Sequence, residues 1–212
     1  MAATEKAPTY VSVGESLRIG WNRGATHFLQ FLPVLLAMLV AAVAFHEAAG
    51  YARQLMVWLL LGCMQLIAPV ALSFGLWRLA LPIVDDQPVS WRTAWALRGL
   101  DAYIVAFFGL ALPWAVLSIV SLGIAFIFGM PMVAFFPFGI LERKRSYRET
   151  IKDGWSVAGT HYAAVLRLCL VLLGLNLLGF IVLIGWLITI PLTVIALAHA
   201  YRTGSGERGT WV

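Results

Sequence analysis

Arg167 is the residue of this chain best placed to act inside a membrane. It follows His161 by six residues within an apolar run, roughly 9 Å deep at about 1.5 Å per residue. An ionisable side chain at that depth needs a headgroup, a buried counter-charge or a substrate. Snorkelling back to phosphate is its expected role. Gln65, midway through the second apolar run, and Asn176, near the far end of the fifth, carry amides suited to hydrogen bonds between helices, each of order 1 kcal/mol. His199 lies one turn from the end of the sixth run, beside Tyr201 and Arg202. His27 and His161 stand at the entrances of two runs. Paired histidines can ligate haem, but only residue type points that way, and a polar aromatic at a membrane interface is the simpler reading. His46-Glu47 has no further ligand at metal spacing. Asp85-Asp86 precedes Pro88 and reads as a turn at a helix end. The chain has no phosphate-cradling glycine loop, HExxH, GxSxG or CxxC. No Asp or Glu falls inside the six apolar runs, which disfavours ion-coupled carriage. The expectation is a protein without catalytic residues, cofactor or metal.

Something must position these groups, and composition says what. Of 212 residues, 61% are hydrophobic and 12% charged, with a mean hydropathy of +0.88. A soluble domain carries about 25% charged residues, so this chain reads as a polytopic membrane protein. Its net charge of +5 sits in short loops between apolar runs, where it sets topology and does not signal nucleic acid. The N-terminus, with Glu5 and Glu15, lacks the pattern of a cleaved signal peptide. Cys63 and Cys169 lie in apolar runs and read as small buried hydrophobes.

The longest polar interruption of the second half, Glu142 to Tyr162, carries Arg143, Lys144, Arg145, Arg148 and Lys152. Within it Ser146-x-x-Glu149 has the form of a capping box, and Tyr147, Ile151 and Trp155 share one helical face. The spacing predicts a short amphipathic helix at a membrane surface, with Trp155 as an anchor. The stretch from Ser12 matches it at a constant offset of 134 residues: Ser12, Glu15, Gly20, Trp21, Thr26 and His27 correspond to Ser146, Glu149, Gly154, Trp155, Thr160 and His161. Trp21 is then the equivalent anchor. This pattern reads as an internal repeat in units of about 12–84, 88–141 and 146–202, the middle copy being the weakest. Pro69, Pro131 and Pro191 fall inside the second, fourth and sixth runs.

The apolar runs cover about 27–45, 55–84, 103–120, 124–141, 162–178 and 181–201. They predict an all-α bundle of six transmembrane helices in three hairpins over residues 12–202, flanked by loose tails at 1–11 and 203–212. Short amphipathic helices complete its cytoplasmic side. Thirteen of the fifteen Lys and Arg fall on one side, with Arg53 opposite and Arg167 within a run. By the positive-inside rule both termini are cytoplasmic.

The basic loop leading into ETIKDGWSVAGTHY, the hairpin LGLNLLGFIVLIGWLITIPLTVIALAHAYR and the ending AHAYR resemble a group of bacterial six-helix integral membrane proteins. These are related to the membrane domain found ahead of some glycerophosphodiester phosphodiesterases. The resemblance implies a six-helix bundle in the bacterial inner membrane and no activity of its own. The expected role is a non-enzymatic scaffold or accessory subunit. Its partners would be anionic lipid headgroups, at Arg143, Lys144, Arg145, Arg148, Lys152 and Arg167, and a partner membrane protein or a second copy. An uncoupled transporter or channel for a small solute or lipid is the alternative.

Overall fold

The computed structural model describes residues 11–51, 54–121, 123–142, 147–182 and 185–206. Every regular element among them is helical. Ser12 starts the first helix, α1 (Val13–Thr26): its Oγ accepts the orphan Glu15 N–H at 3.4 Å, the first half of the expected capping box. A kink at His27 leads into α2 (Phe28–Tyr51) and then α3 (Leu55–Val84). A short 3-10 helix (Trp91–Trp95), capped by Ser90, stands where the weak third repeat was expected to place an amphipathic helix. α4 (Leu100–Val120) and α5 (Ile124–Ala134) follow, and Phe135 breaks the fourth apolar run before α6 (Phe136–Glu142). Pro137 stands one residue inside α6 and has no N–H to donate to the carbonyl of Val133, four residues back in α5. α7 (Tyr147–Thr160), α8 (Tyr162–Ile181) and α9 (Gly185–Ser205) complete the chain.

Five helical segments are long and apolar enough to cross a membrane: Phe28–Ala48, Leu55–Val84, Leu100–Val120, Ile124–Glu142 and Tyr162–Ile181. They mark a multi-pass membrane protein. α9 is not among the five. Thr189, Thr193, His199, Tyr201 and Arg202 dilute its apolar character, and it buries ten of its residues, packed against α1, α2, α3, α7 and α8.

α2 packs on α3, α4 on α5 and α8 on α9. α3, α6 and α9 all finish at one place, where Asp85, Glu142 and Arg202 meet. The core lies toward this polar end. It takes the first turns of α2 (Phe31, Val34, Leu35), the last third of α3 (Phe74–Ile83), α6, and α9 from Pro191 onward. An aromatic layer ties the elements together. Tyr103 stacks between Phe74 (4.8 Å) and Phe136 (5.5 Å), and Tyr201 stacks on Phe138 (5.4 Å), whose ring takes the edge of Trp77 (5.2 Å). Toward the opposite tips the helices bury little. None of the apolar window of α3 is buried, and Leu55 to Leu60, Val116 to Val120 and Leu177 to Val182 present large exposed side chains.

α1 packs lengthwise and antiparallel along α9. Ser16 meets His199, Gly20 meets Ala196 and Gly24 meets Leu192. Three small residues at every fourth position let the two backbones approach closely. A Cβ on Gly20 would stand 2.7 Å from the Leu192 carbonyl oxygen. The buried face of α1 is therefore Ser16, Gly20 and Gly24, while Trp21 is 59% exposed.

Candidate functional site

The strongest concentration of chemistry lies where α3, α6 and α9 end. α9 delivers Arg202 in its last turn, where a cation also meets the helix's unpaired carbonyls favourably. Its guanidinium donates through Nη2 to Asp85 Oδ2 at 2.6 Å and through Nη1 to Glu142 Oε1. All three side chains are largely withdrawn from solvent, Arg202 and Glu142 to 7% exposure and Asp85 to 14%. Charges taken this far out of water stabilise only as an intact set, because removing one partner strands the others. The site is an electrostatic joint between three helix ends.

A second arginine finishes the same corner. Arg23 of α1 donates to the carbonyls of Ile83 and Val84 (3.0 Å for the latter), two of the orphan acceptors that end α3, and pairs with Asp86 at 2.9 Å. Asp86 sits in the left-handed region at φ 56, which Asp tolerates better than most residues. Asp85-Asp86 is thus a turn at a helix end, as its sequence suggests, and each carboxylate has an assigned arginine.

Arg78 belongs to this group too. It lies inside α3, which continues to Val84. Its guanidinium donates to Ala96 O (3.0 Å) and Arg98 O (2.6 Å) and lies 5.5 Å from the Phe74 ring centroid. Those contacts hold the 3-10 segment against α3. Gly75 lets the segment approach, since a Cβ there would meet Ala94 O at 2.9 Å.

The residues singled out from the sequence are dispersed. Asn176 bridges helices: its Nδ2 donates to Thr193 Oγ1 on α9 at 2.6 Å and to Leu172 O at 2.8 Å. His199 Nδ1 and Ser16 Oγ share a hydrogen bond at 3.1 Å between α9 and α1. Gln65 is exposed on α3, and Arg167 is exposed on α8. Trp155, 46% exposed, and exposed Lys152 lie on α7. Arg143, Lys144 and Arg145 lie outside the described residues, as does Ser146 with its capping box, and Arg148 is described only as part of α7. His27 Nδ1 bonds Gln30 Oε1 at 3.0 Å, occupying one of its nitrogens. Among the described residues, no three His, Cys, Asp or Glu are grouped to hold a metal ion.

Sequence reasoning missed the joint because its members stand at the ends of apolar runs, 60 and 117 residues apart. The available signal was a charged residue closing each of the second, fourth and sixth runs. Comparison with known proteins adds no relative: no family model, curated protein or solved structure matches the chain.

Proposed function

We propose that this protein is a non-enzymatic scaffold or accessory subunit of the bacterial inner membrane. On this reading it crosses the membrane six times, in the hairpins α2–α3, α4–α5/α6 and α8–α9, with both termini cytoplasmic. The polar end carrying the arginine joint then faces the cytoplasm. α1 and α7 are copies of one interfacial unit. The two helices have the same length, each closes with a threonine hydroxyl donating 2.9 Å to the carbonyl four residues back, and each is followed by histidine. The family resemblance of the GWSVAGTHY and AHAYR stretches belongs to the same proposal.

The observation that carries the reading is the unburied apolar surface toward the tips. A bundle that closes on itself hides one face of every span; here the apolar window of α3 hides none of its residues and that of α4 only 11%. Such faces call for lipid or partner helices. Exposed Trp21, Trp91, Trp95 and Trp155 suit an interfacial aromatic girdle, alongside Arg92, Lys152 and the basic loop at 143–145. Arg167 is on the outside of α8, which favours headgroup contact over a solute path through the bundle.

The test is purification of the tagged chain in nanodiscs, with mass spectrometry of everything retained. A stoichiometric membrane protein, or tightly held anionic lipid lost on reversing the charge of Arg143, Lys144, Arg145, Arg148 and Lys152, is the expected result. Solute flux across proteoliposomes that disappears with Arg167→Ala would replace this reading with transport.

A further inference from the structure

A slot opens between α1 and α9 at the start of α2. It has a volume of about 330 Å³ and is lined by Trp21, Gly24, Ala25, Phe28, Ile188 and Leu192, all without a polar side chain apart from the indole nitrogen. That volume sits at the small end of ligand sites, which run from about 300 to 1,000 Å³. Gly24 lies at its floor, where a Cβ would come into van der Waals contact with the Leu192 backbone at 3.5 Å. Trp21 and Ala25, four residues apart, share one face of α1, and Phe28 joins them from the first position of α2. Ile188 is 49% exposed, so the slot is continuous with the outward apolar surface.

One end of this stripe is charged. Arg18 stands three residues before Trp21 on the same side of α1; it is exposed and makes no ion pair among the described residues. Glu15 lies a further turn away from the slot. Because α1 runs antiparallel to α9, the Arg18 end lies toward His199 and the polar end, and the Phe28 end lies beside Ile188, deeper among the apolar helices. Cation, indole, then a narrow hydrocarbon channel is the order of groups that a membrane lipid presents in complement.

We infer that this slot holds one acyl chain of an anionic glycerophospholipid from the surrounding membrane, with its headgroup against Arg18. The inference rests on the membrane placement proposed above, and its test separates the two. The full chain is reconstituted in phosphatidylcholine nanodiscs containing a minor fraction of phosphatidylglycerol with a diazirine midway along one acyl chain. After irradiation, adducts are located by peptide mass spectrometry. Adducts concentrate on residues 21–28 and 188–192. Ala25→Trp, which fills the slot from an exposed position, lowers them by ~tenfold while leaving adducts on α3 unchanged. Arg18→Gln lowers them by ~fivefold for phosphatidylglycerol, the ~1 kcal/mol of one cation at a headgroup, and leaves the same diazirine on phosphatidylcholine unaffected. The unaltered chain's map decides the matter even if Ala25→Trp fails to fold. Adducts spread evenly over all exposed apolar faces, with no enrichment in the slot, overturn the inference and leave the membrane placement standing. Adducts on no helix overturn both.

Discussion

Replacing Arg202 by methionine keeps an unbranched apolar stem and removes the charged head. Asp85 and Glu142, each with less than 15% of its side chain exposed, then lose the guanidinium that spans them. Breaking a buried ionic set from one side costs about 3–5 kcal/mol. At roughly 2–4 °C per kcal/mol for a chain of this size, the midpoint of thermal unfolding falls by about 6–20 °C. The chain supplies its own reporter. Cys169 on α8 is buried and Cys63 on α3 is exposed, so in a Cys63→Ser background a thiol-reactive fluorophore reads the release of Cys169 on heating in detergent. Adding Asp85→Asn and Glu142→Gln to Arg202→Met removes the stranded charge, and the triple variant recovers a large part of the loss. A single variant within about 2 °C of the parent, or a triple variant less stable than the single one, would refute the view of this joint as the fastening between α3, α6 and α9.

Gly20→Leu forces α1 off α9, because even its Cβ would approach Leu192 O to 2.7 Å. The same Cys169 assay shows a loss of about 1–3 kcal/mol, whereas Gly14→Leu, with nothing within 4 Å, leaves the midpoint unchanged. Asn176→Leu removes the bond to Thr193 and costs about 0.6–1.7 kcal/mol, measured as a shift in equilibrium unfolding in mixed micelles. Arg23→Met uncovers the carbonyls of Ile83 and Val84 and loses about 1 kcal/mol. That loss persists at high salt, since the Asp86 side chain is 80% exposed and its ion pair contributes little.

The class of fold was legible because hydropathy is local: runs of about 20 apolar residues announce themselves without knowledge of their neighbours. Helix starts were legible where a cap was written into the chain, as at Ser12. Partners were not. Arg202 and Asp85 are 117 residues apart, and each alone looks like an ordinary interfacial charge. Arg78 lies within the run 55–84, and a pair of backbone carbonyls and an aromatic ring, none of them legible from sequence, accommodate it within the helix. On α1, Val13, Leu17 and Trp21 form the apolar stripe that periodicity detects, while close backbone packing on α9 uses the small residues Ser16, Gly20 and Gly24, which periodicity of hydrophobic side chains ignores. Of the polar residues singled out, Asn176 and His199 do bridge helices, and Gln65 and Arg167 face outward.

The pairing of α1 with α9 has a consequence for biosynthesis. α1 emerges from the ribosome first among the described helices and α9 last, and α9 also supplies the surface on which α3 and α8 come together. Until α9 is made, the small-residue face of α1 lacks the helix it packs on, and Asp85 and Glu142 lack Arg202. The five long apolar segments all precede α9 in the chain, so the contacts α9 makes with α1, α3 and α8 form last, in the manner of folds dominated by long-range contacts. A ribosome stalled before α9 therefore leaves an unassembled intermediate, with Arg202 absent from the joint and the glycine face of α1 open. That is the state that membrane proteases and chaperones would meet, and its lifetime is set by the time taken to translate and insert one helix.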